Sequence, residues 1–267
     1  MIRAVLFDLD GVLADTERLQ WAAYRRILAA FGVEVGLEEY RRHWIATGQG
    51  PEYACRTYAL PLGPDELRTE KARVYNGLLQ QGIAACPGAA AALVRLRATH
   101  RLALVTNTAR AEVAMILDQL GIASLLDVTI AREDYREPKP APDGYLAAAA
   151  ALGLTPRACA VVEDTERGVR AAVAAGMWAI AMPNELTVDN DFTGCARRLA
   201  HLDHRLRGHG HFHSGGPCGP RSLRSLRSSD APGPRRRARQ SLAPPPRYRE
   251  PRGILTSPEA WRRAALR

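Results

Sequence analysis

Two carboxylates one residue apart, Asp8 and Asp10, follow the apolar run Ala4-Val5-Leu6-Phe7 and precede Gly11. Side-chain direction alternates along an extended strand, so a strand carried through these residues points both acids to one side. Carboxylates so placed repel each other unless a proton or a cation sits between them, and hard oxygen donors suit Mg²⁺. Gly11 lets the chain turn away tightly behind the pair. Taken alone, the same acids could simply end a strand and open a turn.

Three further segments supply complementary groups. Leu102-Ala103-Leu104-Val105-Thr106-Asn107-Thr108 is an apolar run ending in a hydroxyl, and residues 136–143 present Lys139 between two prolines. Ala158-Cys159-Ala160-Val161-Val162-Glu163-Asp164-Thr165 is a second buried run ending in an acidic pair. Lys139 and Lys71 are the only lysines beside roughly 35 arginines, so an arginine-rich background has spared a lysine here. An aspartate pair, a Thr, a Lys and a terminal acidic pair, in that order, resemble the haloacid-dehalogenase-like hydrolases over roughly residues 1–200.

That resemblance implies phosphoryl transfer. Asp8 would be the nucleophile, attacking phosphorus to give an aspartyl-phosphate. Asp10 would protonate the leaving alkoxide and then activate the hydrolytic water, its backbone carbonyl also ligating Mg²⁺. Thr106 and the Asn107 backbone N–H would hold phosphoryl oxygens, unless Thr106 only caps the helix that follows. Lys139 would contact Asp8 and the phosphoryl group together, its alternative being a loop lysine on the surface. Asp164 would ligate the metal directly and Glu163 directly or through water, although Asp164 or Thr165 could also cap the next helix.

These groups need a scaffold that brings distant segments together. Strands alternating with helices point to an α/β fold, a doubly wound parallel sheet that binds ligands beyond the carboxyl ends of its strands. Apolar residues at helical spacing predict helices over residues 17–31, 37–44, 51–58 and 64–79, and no strand between 17 and 82. Residues 15–84 are therefore expected to form an inserted helical cap, with residues 1–14 and 85–202 as the α/β core. Within that core, helices are expected over 89–98, 111–120, 143–152 and 167–175. Gly121, Gly153 and Gly176 close the last three of them. Strands are expected over 102–106, 126–131, 160–163 and 178–182, the sheet being complete at Met182. The turn Ala46-Thr47-Gly48-Gln49-Gly50-Pro51-Glu52 is the expected cap surface over the phosphate site, and Arg41, Arg42 and His43 read as a solvated face.

The chain has 267 residues, 46% of them hydrophobic, enough for one sizeable domain and a smaller one. Its formal charge of +9 is unevenly spread: residues 201–267 hold about 15 arginines against about 4 acids, leaving the first 200 residues near −2. The Arg-, Pro-, Gly- and Ser-rich segment 203–267 lacks a sustained apolar period, so it is expected to be a disordered basic tail, dispensable for activity. Its His209-Gly210-His211-Phe212-His213 tract reads as incidental. Nucleic acid could bind only through those arginines, without specificity. Five scattered cysteines (Cys55, Cys86, Cys159, Cys195 and Cys218) suggest neither zinc nor disulfides. No segment is apolar enough for a membrane span, so a soluble cytoplasmic protein is expected.

The expected function is Mg²⁺-dependent hydrolysis of a small phosphorylated metabolite. Sugar-phosphate mutases of the same superfamily are the alternative, but they carry a histidine in the first cap helix where this chain has Leu19-Gln20-Trp21. A dehalogenase has no need of Asp10. Phosphonate cleavage would require a lysine early in the cap, and none occurs there.

Overall fold

The computed structural model describes residues 1–202. The expectations for residues 203–267, including the histidine tract and Cys218, lie outside the described residues.

The first strand, β1 (Ala4–Phe7), is buried at all of its positions. A strand covered on both faces shows this unbroken apolar run rather than alternation. The chain then turns at Gly11, whose φ of +80° suits glycine, and enters four helices. These are α1 (Glu17–Ala29), α2 (Leu37–Tyr40), α3 (Gly50–Thr57) and α4 (Pro64–Leu79). A π-helical stretch, Arg41–Ala46, continues α2. The helix expected over 17–31 stops early because Gly32 takes a left-handed φ of +73°. At the other end of the insert, Pro64 opens α4 and the Glu66 carboxylate accepts the Gly63 N–H at 2.8 Å. The two connections to the insert run side by side: the Asp15 N–H donates to the Ala84 carbonyl at 2.9 Å and the Cys86 N–H to that of Leu13 at 3.0 Å.

Beyond the insert the chain alternates. α5 (Ala89–Arg97), β2 (Arg101–Val105), α6 (Arg110–Leu120) and β3 (Val128–Ile130) lead to α7 (Asp143–Ala151) and β4 (Cys159–Glu163), then to α8 (Glu166–Ala174), β5 (Trp178–Ala181) and β6 (Arg197–Arg198). The sheet has the order β3-β2-β1-β4-β5-β6 with every pairing parallel. Because side chains alternate across it, Val5 and Phe7 pack into one apolar layer with Leu93 and Ile116, while Ala4 and Leu6 pack into the other with Tyr145 and Val169. The doubly wound arrangement leaves β1 flanked by β2 and β4, with the ends of all three at one edge of the sheet.

The sheet does not end at Met182. β6 pairs Arg197 with Ile180 and Arg198 with Ala181, and Leu199 and Leu202 beyond it are buried. Two exposed arginines carry no apolar pattern, so this pairing is made by the backbone alone. Arg41 is not on a solvated face either. Its Nε donates to the Leu186 carbonyl at 2.9 Å and its Nη2 pairs with Asp189, tying the insert to the core. His43 stacks on Tyr53 with ring centroids 3.6 Å apart, whereas Arg42 is exposed.

Candidate active site

Asp8 follows β1 directly, its N–H still donating to the Val162 carbonyl at 3.0 Å. The end of β4 brings Glu163 and Asp164 alongside, and carboxylate oxygens of these three buried acids lie within 4.8 Å of one another. Lys139 enters from the segment before α7 and is also buried. Its ammonium donates to Asp8 Oδ1 at 2.5 Å, to Glu163 Oε1 at 2.6 Å and to the Val105 carbonyl at 2.8 Å. All three of its hydrogens are thereby spent on the protein, so a surface position for Lys139 is excluded.

The two acids of the second pair differ in how they are held. Glu163 is held on both oxygens: Oε1 accepts from Lys139 and from the Tyr145 hydroxyl at 2.6 Å, and Oε2 accepts from the Thr165 hydroxyl at 3.2 Å. Asp164 Oδ2 accepts from Asn184 Nδ2 at 2.8 Å, while its Oδ1 is buried without a partner. The cap of α8 is Thr165, whose hydroxyl accepts the Gly168 N–H at 3.1 Å, so Asp164 is not spent there. A Cβ on Gly168 would overlap the Glu163 carboxyl group, and one on Gly11 would overlap Asp164. Backbone approach at both positions therefore leaves room for the acids.

Asp10 lines the same cavity as Asp8 but holds different company. Its Oδ1 accepts from the Thr16 hydroxyl at 2.5 Å and Gln20 Nε2 at 3.0 Å, and its Oδ2 accepts from the Thr108 hydroxyl at 2.6 Å. Both oxygens of its carboxylate are thereby held in place. Thr106 is buried at the end of β2. Its Oγ1 accepts the Thr108 N–H at 3.1 Å, which keeps its own proton for a ligand and does not cap α6. The Asn107 side chain is structural: its Oδ1 accepts from the Tyr135 hydroxyl at 2.7 Å and the Lys139 N–H at 3.2 Å.

Burial, against the pull of Lys139, pushes the Asp8 carboxyl up to about 8, with Glu163 and Asp10 adding repulsion. Burial, followed by the charges of Asp8 and Glu163, also holds Asp164 well above the usual carboxylate range. Burial alone would lower Lys139, but the charges of Asp8 and Glu163 prevail and raise it. Three acids facing one ammonium leave negative charge uncompensated, and Asp164 Oδ1 is an oxygen donor without a partner. Both features fit a hard divalent cation.

The site opens into a cavity of about 810 Å³ between core and insert. Thr47, Gly48, Gln49 and Pro51 line it, as expected of the turn 46–52. That turn is clamped from the core, since Arg167 Nε donates to the Ile45 carbonyl at 3.1 Å and its guanidinium fills the space where Gly48 would carry a Cβ.

A family model described as haloacid dehalogenase-like hydrolase matches residues 5–182. The chain belongs to this family. The hydrolase is 33% identical over 213 residues to the protein CbbY of Rhodobacter capsulatus, covering 75% of this chain and 94% of that one. It is 31% identical over 183 residues to a phosphorylated carbohydrates phosphatase of Thermotoga maritima, covering 66% and 82% respectively. The crystal structure of CbbY from Rhodobacter sphaeroides in complex with phosphate superimposes with a TM-score of 0.69 at 31% identity, covering 76% of the hydrolase and 96% of that chain. A variant of that CbbY has been crystallised with xylulose-(1,5)bisphosphate.

Several groups around the hydrolase's site escaped the sequence reading. Tyr145, Asn184, Thr16, Gln20 and Thr108 each bind one of the acids, and Lys71 and Glu112 line the cavity. One signal was available: Lys71 is the only lysine besides Lys139.

Proposed function

We propose that this hydrolase is a Mg²⁺-dependent phosphatase acting on the phosphate monoester of a small metabolite, with Asp8 as nucleophile. The observation that carries the reading is the contrast within the acidic cluster: Lys139 spends every donor fixing Asp8 and its neighbours, while Asp164 Oδ1 has no partner. The similarity to a phosphorylated carbohydrates phosphatase, and to a CbbY crystallised with phosphate, supports it.

An Asp8 carboxylate oxygen bonds to phosphorus as the phosphorus–oxygen ester bond breaks, and Asp10 gives its proton to the departing alkoxide. Asp10 then takes a proton from water, whose oxygen attacks phosphorus and releases Asp8. Thr16, Gln20 and Thr108 hold Asp10 in place for both transfers. Thr106 and the Asn107 main chain would hold phosphoryl oxygens, and Lys139 adds positive charge behind them. Asp8, Asp164 and the Asp10 main-chain oxygen would hold Mg²⁺, with Glu163 acting through water. The ion, when bound, offsets the repulsion between the Asp8 carboxylate and the phosphate. Residues 15–84 act as the cap, shielding the aspartyl-phosphate over the cavity.

Hydrolysis is favoured over mutase chemistry by Gln20, an amide with no proton-transfer role near pH 7, which donates to Asp10. A cytoplasmic setting fits the free thiols of Cys55, Cys86 and Cys159. The test is hydrolysis of p-nitrophenyl phosphate and a phosphate-ester panel with Mg²⁺ or EDTA. Asp8→Asn should lower turnover roughly a thousandfold or more with the fold intact, and Asp10→Asn about a hundredfold or more. Near-normal turnover in Asp8→Asn would refute the assignment.

A further inference from the structure

Away from Asp8, the cavity wall presents two charged groups that the chemistry above leaves unused. Lys71 projects from α4 of the insert and Glu112 from the first turn of α6 in the core. Glu112 is only 6% exposed. The Ala109 backbone N–H steadies its carboxylate, but among the described residues no side chain bonds to it. The Lys71 ammonium lies 4.0 Å from the centre of the Tyr75 ring, and no oxygen of the described residues pairs with it. The two groups face a common space without forming an ion pair.

The other cations lining the cavity are committed. Arg68 pairs with Glu52 and with Asp65 at 2.9 Å. Arg132 donates to the carbonyls of Tyr135 at 2.9 Å and Arg136 at 3.2 Å, and Arg167 to that of Ile45. Burial lowers the Lys71 ammonium, against the pull of Glu112, Asp10 and Glu17. Burial raises Glu112, with Lys71 opposing. A buried acceptor facing a lone donor suits hydroxyl groups, which give a proton to a carboxylate and take one from an ammonium. A second phosphate or a carboxylate on the substrate would meet one free ammonium beside the carboxylate of Glu112. A role for Glu112 at the start of α6 alone accounts for an acid there, but not for a buried one facing the cavity beside an unpaired lysine.

We propose that Lys71 and Glu112 form a hydroxyl-reading subsite bridging insert and core, which selects monophosphates of neutral, polyhydroxylated alcohols and rejects substrates bearing a second anionic group. The proposal rests on the phosphatase reading. It also separates this hydrolase from its relative crystallised with a bisphosphate.

The test measures kcat/KM of the full chain with Mg²⁺ on p-nitrophenyl phosphate, glucose 6-phosphate, sorbitol 6-phosphate, fructose 1,6-bisphosphate and 2-phosphoglycolate. The wild type should favour the neutral polyol monophosphates over the two charged substrates by roughly tenfold or more. Glu112→Gln should raise the charged-to-neutral ratio about tenfold by removing a like charge. Lys71→Met should weaken the polyol monophosphates about tenfold, chiefly in KM, by removing their donor. A purely structural Glu112 would leave that ratio unmoved and lower only thermal stability. Preference for the bisphosphate or phosphoglycolate, or an unmoved ratio in Glu112→Gln, overturns the proposal; the wild-type ratio decides even if a variant fails to fold. Failure to hydrolyse p-nitrophenyl phosphate overturns the phosphatase reading and this proposal with it. Mg²⁺-dependent hydrolysis that Asp8→Asn abolishes, with no such selectivity, overturns this proposal alone.

Discussion

Replacing Lys139 by Met removes the only cation within hydrogen-bonding distance of Asp8 and Glu163 among the described residues, while keeping most of the side chain's volume. Both carboxylates stay buried, the Glu163 side chain only 1% exposed and that of Asp8 12%. With no metal, the folded state must then neutralise a further carboxyl group by protonation. Burial already pushes Asp8 up to about 8, so the further group is the neighbouring glutamate paired with Lys139; for an ordinary glutamate pKa of about 4.3 this costs about 4 kcal/mol at pH 7, in line with the roughly 3–5 kcal/mol lost when one partner of a buried pair is removed. At pH 5 the same protonation costs only about 1 kcal/mol, so the deficit should shrink as pH falls. At roughly 2–4 °C per kcal/mol for a chain of this size, Tm should drop about 10 °C at pH 7 in EDTA. Calorimetry of wild type and variant at both pH values, with EDTA and with MgCl₂, measures this, and Mg²⁺ should restore more of the loss than it adds to the wild type. A Tm within about 2 °C of wild type in EDTA at pH 7 would show that Lys139 does not carry the charge balance argued above.

Two other outcomes follow from the same electrostatics. Mg²⁺ at about a hundred times its Kd should stabilise the wild type by about 2.7 kcal/mol; Asp164→Asn should abolish that gain, as titration calorimetry and melting curves in MgCl₂ can check. Burial, followed by repulsion from Asp10, pushes Glu17 from 4.5 up to about 7 while it accepts from the Tyr40 hydroxyl at 2.6 Å. The folded state therefore holds this proton more tightly than the unfolded chain, and the associated stability is full below about pH 4.5 and lost as pH rises through about 7. Glu17→Gln cannot ionise, so relative to wild type it should gain on the order of 3 kcal/mol between pH 4.5 and 8; a pH-independent difference in urea unfolding would contradict this.

The four site motifs were legible because each joins a local signature to a chemical group. An unbroken apolar run marks a doubly covered strand, and acids or a hydroxyl at its end fall on the carboxyl edge of the sheet, as they do for Asp8, Thr106, Glu163 and Asp164. Lys139 stood out through lysine scarcity and flanking prolines. What stayed hidden depends on rotation and packing rather than on neighbours in sequence. Gln20 and Thr16 face Asp10 only because of how α1 is oriented, Tyr145 reaches Glu163 from the first turn of α7, and Asn184 comes from beyond β5. The pairing of β6 and the anchoring of Arg41 on Leu186 and Asp189 involve backbone and long-range contacts that composition cannot report.

Helix α8 carries two duties within its first turn. Thr165 starts it just after the acid pair, and two residues later Arg167 grips the Ile45 carbonyl of the insert. Each residue of an α-helix turns by about 100°, so any slip in the register of α8 would swing that grip off the insert while disturbing the anionic wall. Variation at the cavity entrance is consequently tethered on the core side to preservation of the buried acidic cluster, and is freer to accumulate on the insert's side of that handshake.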